Sequence, residues 1–209
     1  MHGENKKGLA LDIDETLSWT IGYWVEDFIK RFGNPENLTT KEIVAKYRYS
    51  HHIPYWQTPE VQERRKELTY SDSVQEELPL IENANHIVEK INKIVPIKLY
   101  LTARPTIVGN GTSKWLKTHG FPDAEITYRP EEVPHADSSK WKAQILQKLY
   151  PSIVGIIDDN PGLAEALPGD YKGVFFLYDY HEAPRNDIKV IPCPSWDDVY
   201  SAVVGEFNK

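Results

Sequence analysis

Four short, nearly continuous apolar runs punctuate the chain: residues 7–13 (KGLALDI), 97–102 (IKLYLT), 153–157 (IVGII) and 173–178 (GVFFLY). Strands buried on both faces, as in a parallel sheet, have this pattern. Residues 124–128 (AEITY) make a fifth, weaker strand candidate. Between the runs lie segments with helical spacing. Residues 83–94 place Ile87, Ile91 and Ile94 on one face, and residues 138–150 do the same with Trp141, Ile145, Leu146 and Leu149. Residues 111–119 end before Gly120, a favourable helix stop, and residues 195–207 begin with Ser195 as an N-cap. Strands alternating with helices predict an α/β fold, a doubly wound parallel sheet.

One stretch breaks the alternation. From Thr16 to Pro79 no buried-strand pattern occurs, and residues 19–32, 39–49 and 59–77 read as helices. The first is rich in aromatics: Trp19, Tyr23, Trp24, Phe28 and Phe32. An insert of about 60 residues is far longer than an ordinary strand-to-helix loop and suits a lid. The expected organisation is an α/β core of residues 1–16 and 80–209, with a helical cap of residues 17–79 over the strand ends.

Composition narrows the class. In 209 residues, 40% are apolar and 26% charged, the balance of a globular domain. No apolar run is long enough for a membrane helix, and the N-terminus (MHGENKKGLALDID) lacks the apolar stretch of a cleaved signal. A single cysteine, Cys193, excludes an internal disulfide and makes a cytoplasmic location the default. Acidic residues outnumber basic ones 31 to 24, for a net charge of −7. Such a chain is a poor partner for extended nucleic acid, which demands a basic footprint.

The candidate chemistry sits at strand ends. The first strand runs into Asp12-Ile13-Asp14-Glu15-Thr16. Residues two apart on a strand point the same way, so both carboxylates face one spot, where a hard cation such as Mg²⁺ would relieve their repulsion. The second ends in Thr102-Ala103-Arg104-Pro105. Its hydroxyl and neighbouring N–H groups can hold a phosphate oxygen, although an ordinary turn has the same composition. The third ends in Asp158-Asp159-Asn160-Pro161. Paired acids after a buried strand are costly unless bonded or bound to metal, yet Asp-Asn-Pro is also a turn signal. Lys140 and Lys142 lie on the preceding helix, where lysines are ordinarily solvated.

Taken together, these motifs resemble the haloacid dehalogenase (HAD) superfamily of phosphohydrolases over residues 7 to about 165. The resemblance implies Asp12 as nucleophile, Asp14 as general acid/base, Thr102 with Ala103 and Arg104 around the phosphate, a catalytic lysine, and Mg²⁺ held by Asp12, Asp14 and Asp159, with Asp158 in support. The family's lysine precedes two apolar residues three and four positions on. Lys142 fits, with Ile145 and Leu146, and Lys140 is the second candidate. Dehalogenating members lack an aspartate at the position of Asp14, so phosphoryl chemistry on a small phosphorylated substrate is expected. The insert occupies the family's type-one cap position. Thr102–Pro105, with Trp115 and Gly120-Phe121-Pro122, is similar to the 5′-nucleotidase-like branch and to polynucleotide 3′-phosphatase domains.

Residues 43–59 contain no acid and interleave Lys46, Arg48, His51 and His52 with Tyr47, Tyr49, Tyr55 and Trp56. Cations beside rings suit a flat anion such as a mononucleotide, with Lys46, Arg48, Tyr55 and Trp56 setting specificity. The same aromatics could instead pack the cap's own core. A phosphotransferase would share every motif, and a non-catalytic binding protein could keep the fold.

Overall fold

A computed structural model describes residues 7–208. The first six residues of the expected core, on which the reading of the N-terminus falls, and its last residue lie outside the described residues. Six parallel strands form one sheet: β1 (Gly8–Leu11), β2 (Ile97–Pro105), β3 (Glu125–Arg129), β4 (Ile153–Asp158), β5 (Val174–Tyr178) and β6 (Lys189–Cys193), in the order β3-β2-β1-β4-β5-β6. The doubly wound expectation is met. The order reverses between β1 and β4, and in such sheets ligands bind in the crevice beyond the strand ends at that reversal.

The inner strands β2, β1, β4 and β5 are largely apolar because both of their faces are covered. Leu9 and Leu11 of β1, with Val174 and Phe176 of β5, face one helical layer: α5 (Ala84–Ile94), α6 (Gly109–Thr118) and α9 (Trp196–Phe207). Ala10, Phe175 and Leu177 face the other, α7 (Ser138–Leu149) and α8 (Pro161–Ala166). Ser195 caps α9 through a reciprocal box with Asp198.

Between β1 and β2 stand α1 (Thr20–Phe32), α2 (Thr40–Tyr47), α3 (Pro59–Thr69) and α4 (Asp72–Glu77). Ile21, Val25, Phe28, Ile43, Ile53, Trp56, Val61 and Leu68 form an apolar core of their own. The single helix expected over residues 59–77 is two, because Ser71 breaks the path and accepts the Val74 amide as a new N-cap. α4 then packs on α6, where a Cβ on Gly111 would lie 2.0 Å from the Asp72 carbonyl oxygen. Only glycine permits that approach. Among the described residues, no helix is long and apolar enough to cross a membrane.

Candidate active site

The ends of β1 and β4 bring three carboxylates together. Asp12 leaves β1 with its amide donating to the Ile157 carbonyl at 2.9 Å, which ties the two strand ends together. Oxygens of Asp12, Asp158 and Asp159 all lie within 4.8 Å of one another, and all three residues are buried. Lys142 enters from α7. Its Nζ is 2.7 Å from Asp12 Oδ1 and donates to Asp158 Oδ2 at 2.8 Å. Burial disfavours the ammonium, but the charges of Asp12 and Asp158 outweigh it and raise its pKa. Lys140, the alternative, is 75% exposed and pairs with Asp137 on the surface.

Burial pushes the Asp12 carboxyl up to about 7, against the pull of Lys142 and with added repulsion from Asp158 and Asp14. Asp159 is likewise raised, by burial and then by Asp158 and Asp12. One ammonium therefore faces three carboxylates. Although Lys142 is close, Asp12 Oδ1 is buried without an aligned hydrogen-bond donor. An all-oxygen cluster, short of positive charge and with an orphaned buried oxygen, fits a small hard divalent cation. Thr16 steadies the third acid: its hydroxyl donates to Asp159 Oδ1 at 3.2 Å and accepts the Asp159 amide at 3.2 Å. The Asn160 amide donates to Asp158 Oδ1 at 2.8 Å.

Asp14 stands apart from the rest of the expected metal set. Its carboxylate is outside the three-acid cluster and belongs instead to Arg104, whose Nη2 and Nε donate to it at 2.8 Å and 3.0 Å. Thr20 adds a hydroxyl at 2.5 Å. Burial would raise its pKa, but the Arg104 charge, the Arg104 hydrogen bonds and Thr20 outweigh it, so Asp14 is held below the ordinary carboxylate range and not partly neutral. Arg104 correspondingly does not project toward a phosphate. It is buried on Asp14, Ser18 and Thr112. Thr102 is fully buried within β2, its Oγ1 accepting the Arg104 amide at 3.2 Å, and the Ala103 carbonyl accepts from Arg129 Nε at 3.0 Å.

The insert supplies less than the sequence suggested. A cavity of about 870 Å³ opens beside Asp159, and of the four specificity candidates only Arg48 lines it. Lys46 pairs with Glu36 on the surface at 2.7 Å. Trp56 is buried edge-on against Phe28 and donates its indole N–H to Gly33. Tyr55 packs edge-on against Trp56 and Tyr47. Tyr55 and Trp56 serve the insert's own core, where the short turn Pro54–Trp56 places them, and Lys46 serves its surface. Arg48 does span the gap. Its guanidinium lies 3.2 Å from Asp179 and 3.8 Å from Asp159, over the Tyr180 ring at 4.5 Å.

The sequence reading did not single out Thr16, Thr20, Asp179 or Glu15. Glu15 is a non-glycine residue with φ +59°, and its Oε1 accepts the Ile21 amide at 2.5 Å. Burial pushes its carboxyl up to about 8, partly opposed by that amide. A strained backbone beside the Asp12–Asp14 turn was the available signal, but left-handed φ is not legible in Asp-Glu-Thr.

A family model described as PITM 1-3, LNS2 domain matches residues 66–157, less than half of the chain. That span includes Thr102 and Lys142 but neither Asp12 nor Asp159. No curated protein sequence matches. Solved structures do. A haloacid dehalogenase-like hydrolase from Streptococcus pneumoniae is 17% identical with a TM-score of 0.60, covering 97% of this chain and 99% of its own. A predicted phosphatase from Clostridium acetobutylicum is 12% identical with a TM-score of 0.53, covering 96% and 99%. An L-2-haloacid dehalogenase from Xanthobacter autotrophicus is 13% identical with a TM-score of 0.54, covering 96% and 99%.

Proposed function

These likenesses establish the haloacid dehalogenase-like fold, and from the site we propose that the chain is a divalent-cation-dependent phosphatase that hydrolyses a small phosphomonoester through an aspartyl-phosphate. The observation that carries this reading is Lys142 lodged between Asp12 and Asp158, with Asp159 completing an acid cluster at the sheet's reversal.

In this reading an Asp12 oxygen attacks phosphorus and the ester P–O bond breaks, the leaving oxygen taking up a proton. Water then attacks the phosphoryl group, the P–O bond to Asp12 breaks, and Asp14 takes the water's proton. Mg²⁺ held by Asp12, Asp158 and Asp159 would supply charge neutralisation at the phosphoryl oxygens. Lys142 holds Asp12 in place and contributes a fixed positive charge beside the reacting group. Asp14, held ionised by Arg104, suits the second step. In the first it must carry a proton against that positive charge, so the Arg104 pair tunes how readily the leaving oxygen is protonated. Displacement of a halide needs no proton at all, which is why Asp14 favours phosphoryl chemistry over the dehalogenation named for some structural neighbours. Residues 17–79 act as a cap, with α2 and the β4 and β5 ends enclosing the cavity. A mononucleotide remains the favoured substrate, supported by Arg48 and Tyr49 at that cavity.

Phosphate release from a panel of phosphomonoesters, with Mg²⁺ and with excess chelator, tests the proposal. Turnover that survives chelation, or that survives in Asp12→Asn, overturns it.

A further inference from the structure

The cavity beside Asp159 has an uneven lining. One wall is apolar: Trp19, Ile21, Val44, Ala45, Leu80 and Ile81. Tyr49 and Tyr178 add flat rings. The charged lining is Glu15, Glu82, Asp159 and Asp179 with Lys41 and Arg48, and Asp159 already belongs to the acid cluster. Of those cations, Arg48 is already engaged by Asp159 and Asp179, and Lys41 lies on the exposed rim. At about 870 Å³ the space is within the range of small-molecule sites, so it admits a ring-bearing group.

We propose that this cavity is a leaving-group pocket selecting phosphomonoesters of uncharged alcohols with a flat or apolar body, and that it disfavours esters carrying a second anionic group. The proposal rests on the phosphatase reading and deepens it. An apolar wall gains by covering an apolar body and offers nothing to a polyol, whose hydroxyls would lose water without replacement partners. A second anion would find its natural counter-ion, Arg48, already paired with Asp159 and Asp179. Nucleosides belong to the favoured class and phosphorylated sugar acids do not.

The test compares kcat/KM of the full chain with Mg²⁺ on 2-phenylethyl phosphate, glycerol 3-phosphate and 3-phosphoglycerate, whose leaving alkoxides are similarly basic, with acetyl phosphate as a minimal substrate. The phenylethyl ester should exceed the other two alkyl esters at least tenfold. Ala45→Asp, at an exposed position of α2 where folding tolerates a charge, should cut the phenylethyl-to-acetyl ratio at least tenfold. Hydrolysis of acetyl phosphate with no preference among the alkyl esters, or with equal losses in Ala45→Asp, overturns the pocket and leaves the phosphatase reading standing. Binding of 2-phenylethylphosphonate, followed by tryptophan fluorescence, separates the opposite failure. Saturable binding weakened by Ala45→Asp in a protein that hydrolyses none of the esters would keep the pocket and overturn the phosphatase. Neither binding nor hydrolysis overturns both.

Discussion

Arg104 grips Asp14 with two nitrogens, Nη2 at 2.8 Å from Oδ1 and Nε at 3.0 Å from Oδ2, across 90 residues of chain. The guanidinium is almost wholly buried, and Asp14 keeps 30% of its side chain exposed to the cleft. The pair joins the turn after β1 to the end of β2 and fixes where Asp14 points.

Breaking it should cost both stability and rate. In Arg104→Ala the part-exposed Asp14 carboxylate loses its partner, and Ser18 and Thr112 lose a donor, so about 1–3 kcal/mol of unfolding free energy should disappear near neutral pH. Arg104→Lys should recover only part, since an ammonium cannot reproduce the fork. The folded-state pKa of Asp14 lies below its unfolded value, so this stabilisation is full above the ordinary carboxyl range. It is lost as pH falls through the depressed value. Denaturant titrations should therefore show the wild-type advantage over Arg104→Ala shrinking in acid. An advantage that is constant with pH would remove Asp14 as the cause.

Lys142 gives a second expectation. Without its Nζ, Asp12 and Asp158 lose their cation, and only Arg48, 3.8 Å from Asp159, remains beside the three acids. Lys142→Ala should lower turnover by orders of magnitude, each ~1.4 kcal/mol of lost transition-state stabilisation being tenfold. Mg²⁺ should raise its melting temperature more than it raises that of the wild type, because the ion meets a larger uncompensated charge. Lys140→Ala, with its exposed lysine, should match the wild type in both assays. Melting curves with and without Mg²⁺, beside initial rates, decide it.

The strand-end chemistry was legible because parallel strands announce themselves by apolar runs, and Asp12, Thr102 and Asp158 simply follow those runs. Lys142 was legible only through the family resemblance, whose lysine precedes such an apolar pair. The edge strand β6 was not, since KVIPC is half-exposed and carries Pro192, which is tolerated only at an edge. The Arg104–Asp14 pair is a tertiary event with no local trace. Residues 43–59 had left two readings open, and for Tyr55 and Trp56 packing in the insert's own core is the one observed, because which face a short turn presents is set by tertiary contacts.

That packing makes Trp56 a stability residue. Its indole is 1% exposed and lies edge-on to Phe28 with centroids 5.4 Å apart. Trp56→Ala should remove about 3–5 kcal/mol from the insert's core, as large-to-small changes of buried tryptophan do. Every substrate should suffer alike. Lys46→Ala, which severs only an exposed pair, should be silent. A Trp56→Ala protein of wild-type stability with a selective rise in KM would return Trp56 to the substrate.

Arg48 is the one strip residue that crosses to the strand ends, and its backbone shows what to replace it with. It ends α2 at φ +57°, a conformation glycine adopts without strain. Arg48→Gly therefore removes the guanidinium while easing the turn, so any loss belongs to the side chain. That side chain is 35% exposed, so its ion pairs contribute little to global stability and the melting point should hardly move. What should change is the closure of the insert over the acids. Its contacts to Asp159, Asp179 and the Tyr180 ring tie the end of α2 to the ends of β4 and β5, and without them the insert should open more often. Residues 17–79 should then be cut faster by a protease under native conditions, and KM for a ring-bearing phosphomonoester should rise several-fold. Arg48→Lys keeps the charge but neither the fork nor the flat stacking face, and should fall between the two. Unchanged cleavage and unchanged KM in Arg48→Gly would mean that the contact is incidental to closure.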